Sequence, residues 1–470
     1  MHLHIIGICG TFMGGLALLA RARGHQVTGC DANVYPPMST QLEAAGIRLM
    51  EGFSEDQLSL RPDLWVIGNV ASRRMPLIEA LLNARAPLVS GPQWMAEHLL
   101  RDHRVLAVSG THGKTTTSAI LAWLLEDAGL SPSFLIGGVP ENFGVSARLS
   151  PAFGSHASDH LPPFVIEADE YDTAFFDKRS KFLHYRAEIA VLNNLEFDHA
   201  DIFADLAAIE TQFHHWVRTL PSKGRLVVNA QAPALARVLA RGCWTPVESF
   251  QDAAGWSIGL PASSGVSSGS ADHFTVLQAG RPVGSVESPL TGAHNRSNVL
   301  AAIAAAVAFG VSAEQACQSV SRFLGVKRRM QVRGEVNGIR VLDDFAHHPT
   351  AIETTIDGLR DQMRRAGMTG RILAVIEPRS NTMKLGVMAA KLADSLSGAD
   401  RVFAFAGGID WDLDQALASI QARTLVSREI EDLVSAICRE ARPGDQILVM
   451  SNGGFAGIHD RLLRGLSQGH

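Results

Sequence analysis

Two glycines followed by a lysine and a pair of threonines form a device for holding phosphate. The run Ser109-Gly110-Thr111-His112-Gly113-Lys114-Thr115-Thr116 lies between an apolar stretch at 105–108 and an amphipathic one. Glycines let the backbone bend so that its N–H groups and the following helix N-terminus face an anion. Lys114 then reaches the terminal phosphates, and Thr115 offers a hydroxyl to Mg²⁺. Gly110 precedes Gly113 by only three positions, a departure from the standard phosphate-loop spacing. An NTPase also needs acids at strand ends. Phe164-Val165-Ile166-Glu167-Ala168-Asp169-Glu170 puts Glu167 where a Walker-B acid sits, and Asn193-Asn194-Leu195-Glu196-Phe197-Asp198-His199 adds acids and an imidazole after another apolar run. Oxygen ligands with an occasional imidazole suit Mg²⁺ held together with phosphates.

A second glycine turn opens the chain. Gly7-Ile8-Cys9-Gly10-Thr11-Phe12-Met13-Gly14-Gly15 follows a strand-like run, with Asp31 at the end of the next one. The arrangement is that of a dinucleotide fold without its strict fingerprint, so Rossmann geometry is expected and the ligand is left open between a diphosphate and none. Gly292-Ala293-His294-Asn295-Arg296-Ser297-Asn298 leads into an Ala-rich helix, as a base or ribose contact or as an ordinary N-cap. Asp343-Asp344-Phe345-Ala346-His347-His348-Pro349 ends a strand of the last third. Adjacent histidines point apart on regular structure, so neither this pair nor His214-His215 is expected to chelate one metal. Arg328-Arg329 sits at a presumed hinge, placed to cap, to be solvated or to swing onto a phosphate.

The elements that must position these residues alternate between short β-rich runs and helical stretches, the signature of parallel α/β sheets. For 470 residues about three domains are expected. The boundaries fall at 1–104, 105–327 and 328–470. Strands are expected at 3–8, 26–30 and 64–68 in the first, at 105–108, 164–166, 189–192 and 225–228 in the second, and at 339–342, 371–376, 401–405 and 446–450 in the third. The Ser/Gly-rich segment 261–272 reads as a flexible surface loop. A net charge of −5 excludes a broad basic surface, and with it nucleic acid as main partner. Five scattered cysteines without a CxxC pair argue against a disulfide framework or structural zinc and fit a reducing compartment. The longest apolar run, 299–311, is too short to span a bilayer, and the first residues show no leader pattern. A cytoplasmic protein is expected.

Taken in order, these motifs resemble the Mur ligase family across nearly the whole chain. The resemblance implies a three-domain α/β architecture: a Rossmann-like UDP-sugar domain, a central P-loop-type ATPase domain and a Rossmann-like C-terminal domain that receives an amino acid or peptide. It implies ATP contacts at Gly110, Thr111, His112, Gly113, Lys114, Thr115, Thr116, His294, Asn295, Asn298, Arg329 and Asp344. It further implies Mg²⁺ at Thr115, Glu167 and His199, and UDP-sugar contacts at Gly7, Gly10, Thr11, Met13, Gly14, Asp31 and Asn69. Two branches use UDP-N-acetylmuramate, one adding L-alanine and the other a recycled murein tripeptide, L-alanyl-γ-D-glutamyl-meso-diaminopimelate. The wording of Asp31-Ala32-Asn33-Val34-Tyr35-Pro36-Pro37-Met38-Ser39, Glu377-Pro378-Arg379-Ser380-Asn381-Thr382-Met383-Lys384 and Ser451-Asn452-Gly453-Gly454-Phe455 is similar to the tripeptide branch. Peptide contacts are therefore expected at Arg379, Ser380, Asn381, Lys384 and Asn452. Several family members carry a carbamylated lysine on the helix after the Asp-His motif. Here residues 206–218 contain no lysine, and His214 or His215 falls near that place.

The implied chemistry is ATP-dependent amide formation through an acyl phosphate. Lys114, His199 and Arg329 serve phosphoryl transfer, and His348 or a substrate-bound water takes the amine proton. The alternatives are the L-alanine-adding branch and, from another class, an NAD-dependent oxidoreductase that would leave the phosphate loop idle. Oligomeric state is not readable.

Overall fold

The computed structural model describes residues 1–34, 38–151, 153, 161–259 and 271–468. Three sheets follow one another along the chain. The first has five parallel strands in the order Arg48–Glu51, Gln26–Asp31, His2–Ile6, Leu64–Ile67 and Leu88–Ser90. Its central strand is buried from Leu3 to Ile6, as a strand covered on both faces requires. The buried polar residue within it, His4, is satisfied by Thr28 Oγ1 at 2.9 Å and Gln57 Oε1 at 3.2 Å. The strand stops at Ile6, two residues sooner than its apolar run suggested, because Gly7 turns the chain with φ 81°.

The second sheet has ten strands, with Arg104–Ser109 between Ile189–Leu192 and Pro163–Glu167. That order brings the phosphate loop, Glu167 and Asn193 to one edge, since all three strands run parallel. Helices Lys114–Asp127 and Ala293–Phe309 pack against each other over this sheet. Val299 to Ala306 are all fully buried, which explains a helix apolar all round. Beyond Val247–Phe250 the sheet is extended by Trp256–Gly259, Asp272–Gln278 and Arg281–Ser288, the last two joined antiparallel to their neighbours. A purely parallel reading did not anticipate this. The expected loop at 261–272 falls mostly on 260–270, outside the described residues. Its last residue, Asp272, is itself buried, heads a half-buried strand and pairs with Arg296 at 2.6 Å and Arg365 at 2.5 Å.

The third sheet runs Gln331–Val336, Ile339–Asp344, Gln446–Met450, Ile372–Ile376, Arg401–Phe405 and Thr424–Ser427, antiparallel only at its first pair. The Arg365–Asp272 pair joins its helix Pro349–Arg365 to the central sheet. On the other side, helix Thr11–Ala22 lies so close to the central sheet that a Cβ on Gly15 would stand 2.2 Å from Leu135 Cδ1. All five cysteines are free, and among the described residues no helix is long and apolar enough to cross a membrane.

Candidate active site

The phosphate loop is fixed by the strand end beside it. His112 N–H donates to Asn194 Oδ1 at 2.8 Å, and Asn194 Nδ2 returns a bond to His112 O at 3.0 Å. Glu196 N–H donates to Thr111 Oγ1 at 2.8 Å. Gly113 caps the helix with φ 78°, and a Cβ there would lie 2.3 Å from Asn298 Oδ1, so both conformation and space demand glycine. Asn298 in turn accepts from Asn193 Nδ2 at 2.9 Å and Thr117 Oγ1 at 3.2 Å, tying the Ala-rich helix to the loop.

Lys114 heads the helix. Its Nζ donates to Gly110 O at 2.7 Å and Glu170 Oε2 at 3.0 Å, with Asp169 Oδ1 at 3.8 Å. Burial alone would lower its pKa, but Glu170, Asp169 and Glu167 reverse that, so the ammonium is firmly held. Thr115 Oγ1 donates to Glu167 Oε1 at 3.1 Å and accepts from Arg329 Nη2 at 3.2 Å. Burial pushes the Glu167 carboxyl up, opposed by Lys114, the Gly137 N–H and Arg329. Asp169 is disfavoured by burial yet held well below the carboxylate range by Lys181, Lys114 and His199.

Donor atoms of Asp169, Glu170 and His199 lie within 4.8 Å of one another. His199 holds this position with a left-handed backbone, φ 54°, its N–H donating to Asp198 Oδ1 at 2.7 Å. Three carboxylates (Glu167, Asp169, Glu170) face two ammoniums (Lys114, Lys181) and the Arg329 guanidinium, so the formal charges balance. An oxygen-rich donor set with one imidazole fits a hard dication such as Mg²⁺.

A cavity of about 400 Å³ opens beside the loop, lined by His112, Gly113, Thr116, His294, Asn295, Asn298, Arg329 and Asp344. Eight of the twelve expected nucleotide residues thus line one cavity, although they come from separate stretches between 112 and 344. His294 is pushed down to about 4 by burial and then by Arg329, and so is neutral at pH 7. Asp344 spends both oxygens on the N–H groups of Met330 and Ala346, each at 2.8 Å, bracing the turn rather than facing free solvent. Of the hinge pair, Arg328 anchors to the carbonyls of Ser451 and Gly453, both at 2.7 Å, while Arg329 crosses to Thr115.

A second cavity, about 380 Å³, is lined by Tyr171, Asp198, His199, His347 and Thr382 together with all five expected peptide residues, Arg379, Ser380, Asn381, Lys384 and Asn452. Gly453 makes room for Arg379: a Cβ there would sit 2.5 Å from the guanidinium. Ser380 caps the short helix Asn381–Lys384. Thr382 Oγ1 donates to Asp198 Oδ1 at 2.7 Å, and Asn381 Nδ2 and Tyr171 Oη both donate to Asp201 Oδ2, at 2.8 and 2.5 Å. Burial would raise Asp198, but His199, His347 and Thr382 hold it down to about 2.

The adjacent histidines do point apart. His348 lies on the nucleotide side, 4.6 Å from the His112 ring, accepting from Thr350 N–H and donating to Phe197 O, both at 3.3 Å. Both its nitrogens are engaged there, and it does not line the second cavity. His347 lines that cavity, and its Nδ1 donates to Phe345 O at 3.0 Å, leaving Nε2 unprotonated. His214 and His215 lie on helix Leu206–Val217, outside the Asp169–Glu170–His199 cluster and a second group of close donor atoms, His112, Glu196 and His348.

The first glycine turn is a separate, simpler site. Asp31 accepts from Cys9 N–H at 2.9 Å and Ala32 N–H at 2.8 Å, so it ties the turn to the neighbouring strand end. Gly10 caps helix Thr11–Ala22, Gly14 lies against Met38, Met13 is buried, and Thr11 and Asn69 are exposed beside it. Residues 35–37 of the longer motif lie outside the described residues.

Residues 2–103 match the Mur ligase family catalytic domain, 108–306 the Mur ligase middle domain and 328–453 the Mur ligase glutamate ligase domain. The chain belongs to the Mur ligase family. It is 50% identical over 469 residues, 100% of its own length and 99% of the relative's, to the UDP-N-acetylmuramate–L-alanyl-γ-D-glutamyl-meso-2,6-diaminoheptandioate ligase of Escherichia coli K12. A crystal structure of a murein peptide ligase from Psychrobacter arcticus 273-4 is 45% identical, with a TM-score of 0.76 and 99% of both chains covered. A UDP-N-acetylmuramate–L-alanine ligase of Rubrobacter xylanophilus is 34% identical over 387 residues, 82% of this chain and 80% of the relative.

Mur ligases are ATP-dependent amide ligases, which removes the hydride-transfer alternative. Several parts of this Mur ligase site were not singled out from sequence. The amides of Asn193 and Asn194 stand inside a quoted motif, but their task of stitching the loop is visible only in three dimensions. Tyr171 directly follows the quoted acidic motif but lies outside it, and Lys181 opens a short 3₁₀ helix, Lys181–His184, that carries no motif.

Proposed function

We propose that this Mur ligase joins the lactyl carboxylate of UDP-N-acetylmuramate to the amine of L-alanyl-γ-D-glutamyl-meso-diaminopimelate, cleaving ATP to ADP and phosphate, in cytoplasmic peptidoglycan recycling. The observation that carries the reading is the second cavity, where Arg379 and Lys384 stand together with Asn452 around about 380 Å³. Those cations suit an acceptor with several free carboxylates. A single alanine would engage one of them at most and leave most of the volume unused. Full-length likeness to a ligase named for the tripeptide reaction supports the same assignment.

The chain divides for this purpose at 104/105 and 327/328: residues 1–104 hold the sugar nucleotide, 105–327 hold ATP, and 328–470 hold the peptide. A carboxylate oxygen attacks the γ-phosphorus, forming an acyl phosphate and releasing ADP. The amine then attacks the acyl carbon, and the tetrahedral intermediate expels phosphate. The first step brings two anions together, so fixed positive charge supplies most of the catalysis. Lys114, reoriented from Gly110 O and Glu170 onto the phosphates, and Arg329, reaching past Thr115, provide it from the protein. Mg²⁺, held by Thr115 and Glu167 with a second ion at Asp169, Glu170 and His199, would supply further charge stabilisation on the phosphates. His347, neutral because burial lowers its pKa and with Nε2 unprotonated, accepts the amine proton. Adenine and ribose fill the cavity beside His294 and Asn295, and the UDP diphosphate meets the turn Gly7–Gly15 at the helix N-terminus.

The test is a mass-resolved ligation assay with UDP-N-acetylmuramate, ATP and Mg²⁺, offering the tripeptide and L-alanine in separate tubes. Product only with tripeptide is expected. Product only with L-alanine would transfer the enzyme to de novo synthesis and remove the peptide role from Arg379 and Lys384.

A further inference from the structure

We infer a carboxylate-binding subsite at Lys181, which receives the lactyl carboxylate of the donor between the first glycine turn and the phosphate loop. The inference rests on the proposed donor and names a residue that neither motif nor family match singles out. Lys181 follows an antiparallel bridge between Asp172 and Ser180, and its N–H donates to Tyr171 O at 3.0 Å, so its backbone is fixed. Its side chain is only 11% exposed. The ammonium touches three things: Asp169 Oδ2 at 2.9 Å, the Tyr171 ring at 5.4 Å and the Phe12 ring at 5.6 Å.

Each contact places it. Phe12 lies in the first turn of helix Thr11–Ala22, whose N-terminus faces the proposed diphosphate. Tyr171 lines the acceptor cavity. The other oxygen of Asp169 stands 3.8 Å from both Lys114 Nζ and His199 Nε2, where the γ-phosphate is transferred. A donor anchored at the first turn must carry its carboxylate past Phe12 to reach Lys114, and Lys181 stands on that line. An ammonium has three N–H donors. Among the described residues Asp169 is the one hydrogen-bond acceptor Lys181 meets, and Lys114 and His199 share that carboxylate. The two aromatic faces remove water from the ammonium without taking its hydrogens. A desolvated cation with donors to spare is complementary to one more carboxylate, and the first helical turn itself carries no basic residue to provide that pairing.

The experiment compares UDP-N-acetylmuramate with UDP-N-acetylglucosamine, which lacks the lactyl carboxylate. Affinities for the full-length protein, its K181Q variant and its K181R variant are measured by calorimetry, with a non-hydrolysable ATP analogue and Mg²⁺ present throughout. K181Q is expected to weaken UDP-N-acetylmuramate about ten- to hundredfold, the range of a charge-assisted hydrogen bond, while UDP-N-acetylglucosamine changes less than about twofold. K181R should recover most of the loss. In the ligation assay K181Q should raise the KM for donor and leave those for ATP and tripeptide within about twofold. Equal weakening of both sugar nucleotides would assign Lys181 a structural role and overturn the inference, as would unchanged muramate binding. Wild-type protein that binds neither donor nor forms product would instead remove the donor assignment itself, a different outcome from a functional wild type with an indifferent K181Q.

Discussion

Two glycine turns, 7–15 and 110–116, follow the first strands of the first and second sheets, and each leads into a helix that starts at a glycine cap with no side-chain cap bond. The positive φ falls on Gly7, before the extended cap Gly10, in the first, and on Gly110 and the cap Gly113 itself in the second. Their surroundings differ sharply. The second turn is flanked by strands whose ends deliver Glu167, Asp169, Glu170, Asn193 and Asn194, and its helix begins with Lys114. The first receives a single acid, Asp31, both of whose oxygens serve backbone N–H groups. Related strand–turn–helix units are therefore proposed to do chemistry in one place and docking in the other. What separates them is the side chains that neighbouring strands bring, and the positive charge near the first turn comes from the central unit, through Lys181 against Phe12.

The largest effect expected from breaking this contrast is at Lys114. Lys114→Met keeps the stem and removes the charge, and kcat for ligation should fall about a thousandfold, the scale of a lost transition-state charge partner. No single side chain of the first turn should match that. A variant retaining more than a tenth of wild-type kcat, a barrier change below about 1.4 kcal/mol, would remove Lys114 from phosphoryl transfer.

How much of this was legible beforehand follows the same division. The phosphate loop, Glu167, His199 and the C-terminal Arg379–Lys384 run could be read because each places its chemistry within a few residues of sequence. The parallel strands were legible from apolar runs bounded by turns. The antiparallel extension Asp272–Gln278 with Arg281–Ser288 was not, because it alternates buried and partly exposed residues and follows a Ser/Gly-rich stretch that resembles a loop end. Which of His347 and His348 lines the second cavity was not legible, since neighbouring imidazoles differ only in which way the turn aims them, and that depends on Phe197 and Phe345 carbonyls. Lys181 was invisible for the plainest reason: its partners Phe12, Asp169 and Tyr171 lie at unrelated places in the chain.

A pair of alanine substitutions sharpens the comparison at intermediate size. Gly113→Ala forces a positive φ and puts Cβ 2.3 Å from Asn298 Oδ1. It should cost about 1–3 kcal/mol in stability for the backbone alone and lose ATP binding. Gly10 has φ −68°, and its nearest neighbour would be Gly7 O at 3.5 Å, so Gly10→Ala should leave the melting temperature unchanged. If the first turn holds a diphosphate against its backbone, Gly10→Ala should still weaken UDP-sugar binding about tenfold, read by calorimetry. Unchanged binding would reduce that turn to packing. Asp31→Asn, which keeps one acceptor oxygen for the two N–H groups, should cost about 1 kcal/mol in thermal melts and raise the donor KM more than the ATP KM.

The smallest effect separates the two regions by pH. His4, in the strand before the first turn, is pushed down to about 4 by burial, and His348, against the phosphate loop, likewise to about 4 by burial and His112. The unfolded chain protonates such groups near 6.5, whereas the folded chain keeps them neutral to about 4. Through that window the unfolded state binds more protons, so unfolding free energy falls as pH drops from 6.5 towards 4. His4→Gln and His348→Asn should each flatten the slope of melting temperature against pH over this range. Their kinetics should diverge. His4 touches only Thr28 and Gln57 by hydrogen bond and should leave both KM values and kcat unchanged, while His348→Asn should raise the ATP KM because His112 packs on it. If His4→Gln altered the ATP KM as His348→Asn does, the two turns would be energetically coupled through the Gly15–Leu135 contact, and the first could no longer be treated as a passive dock.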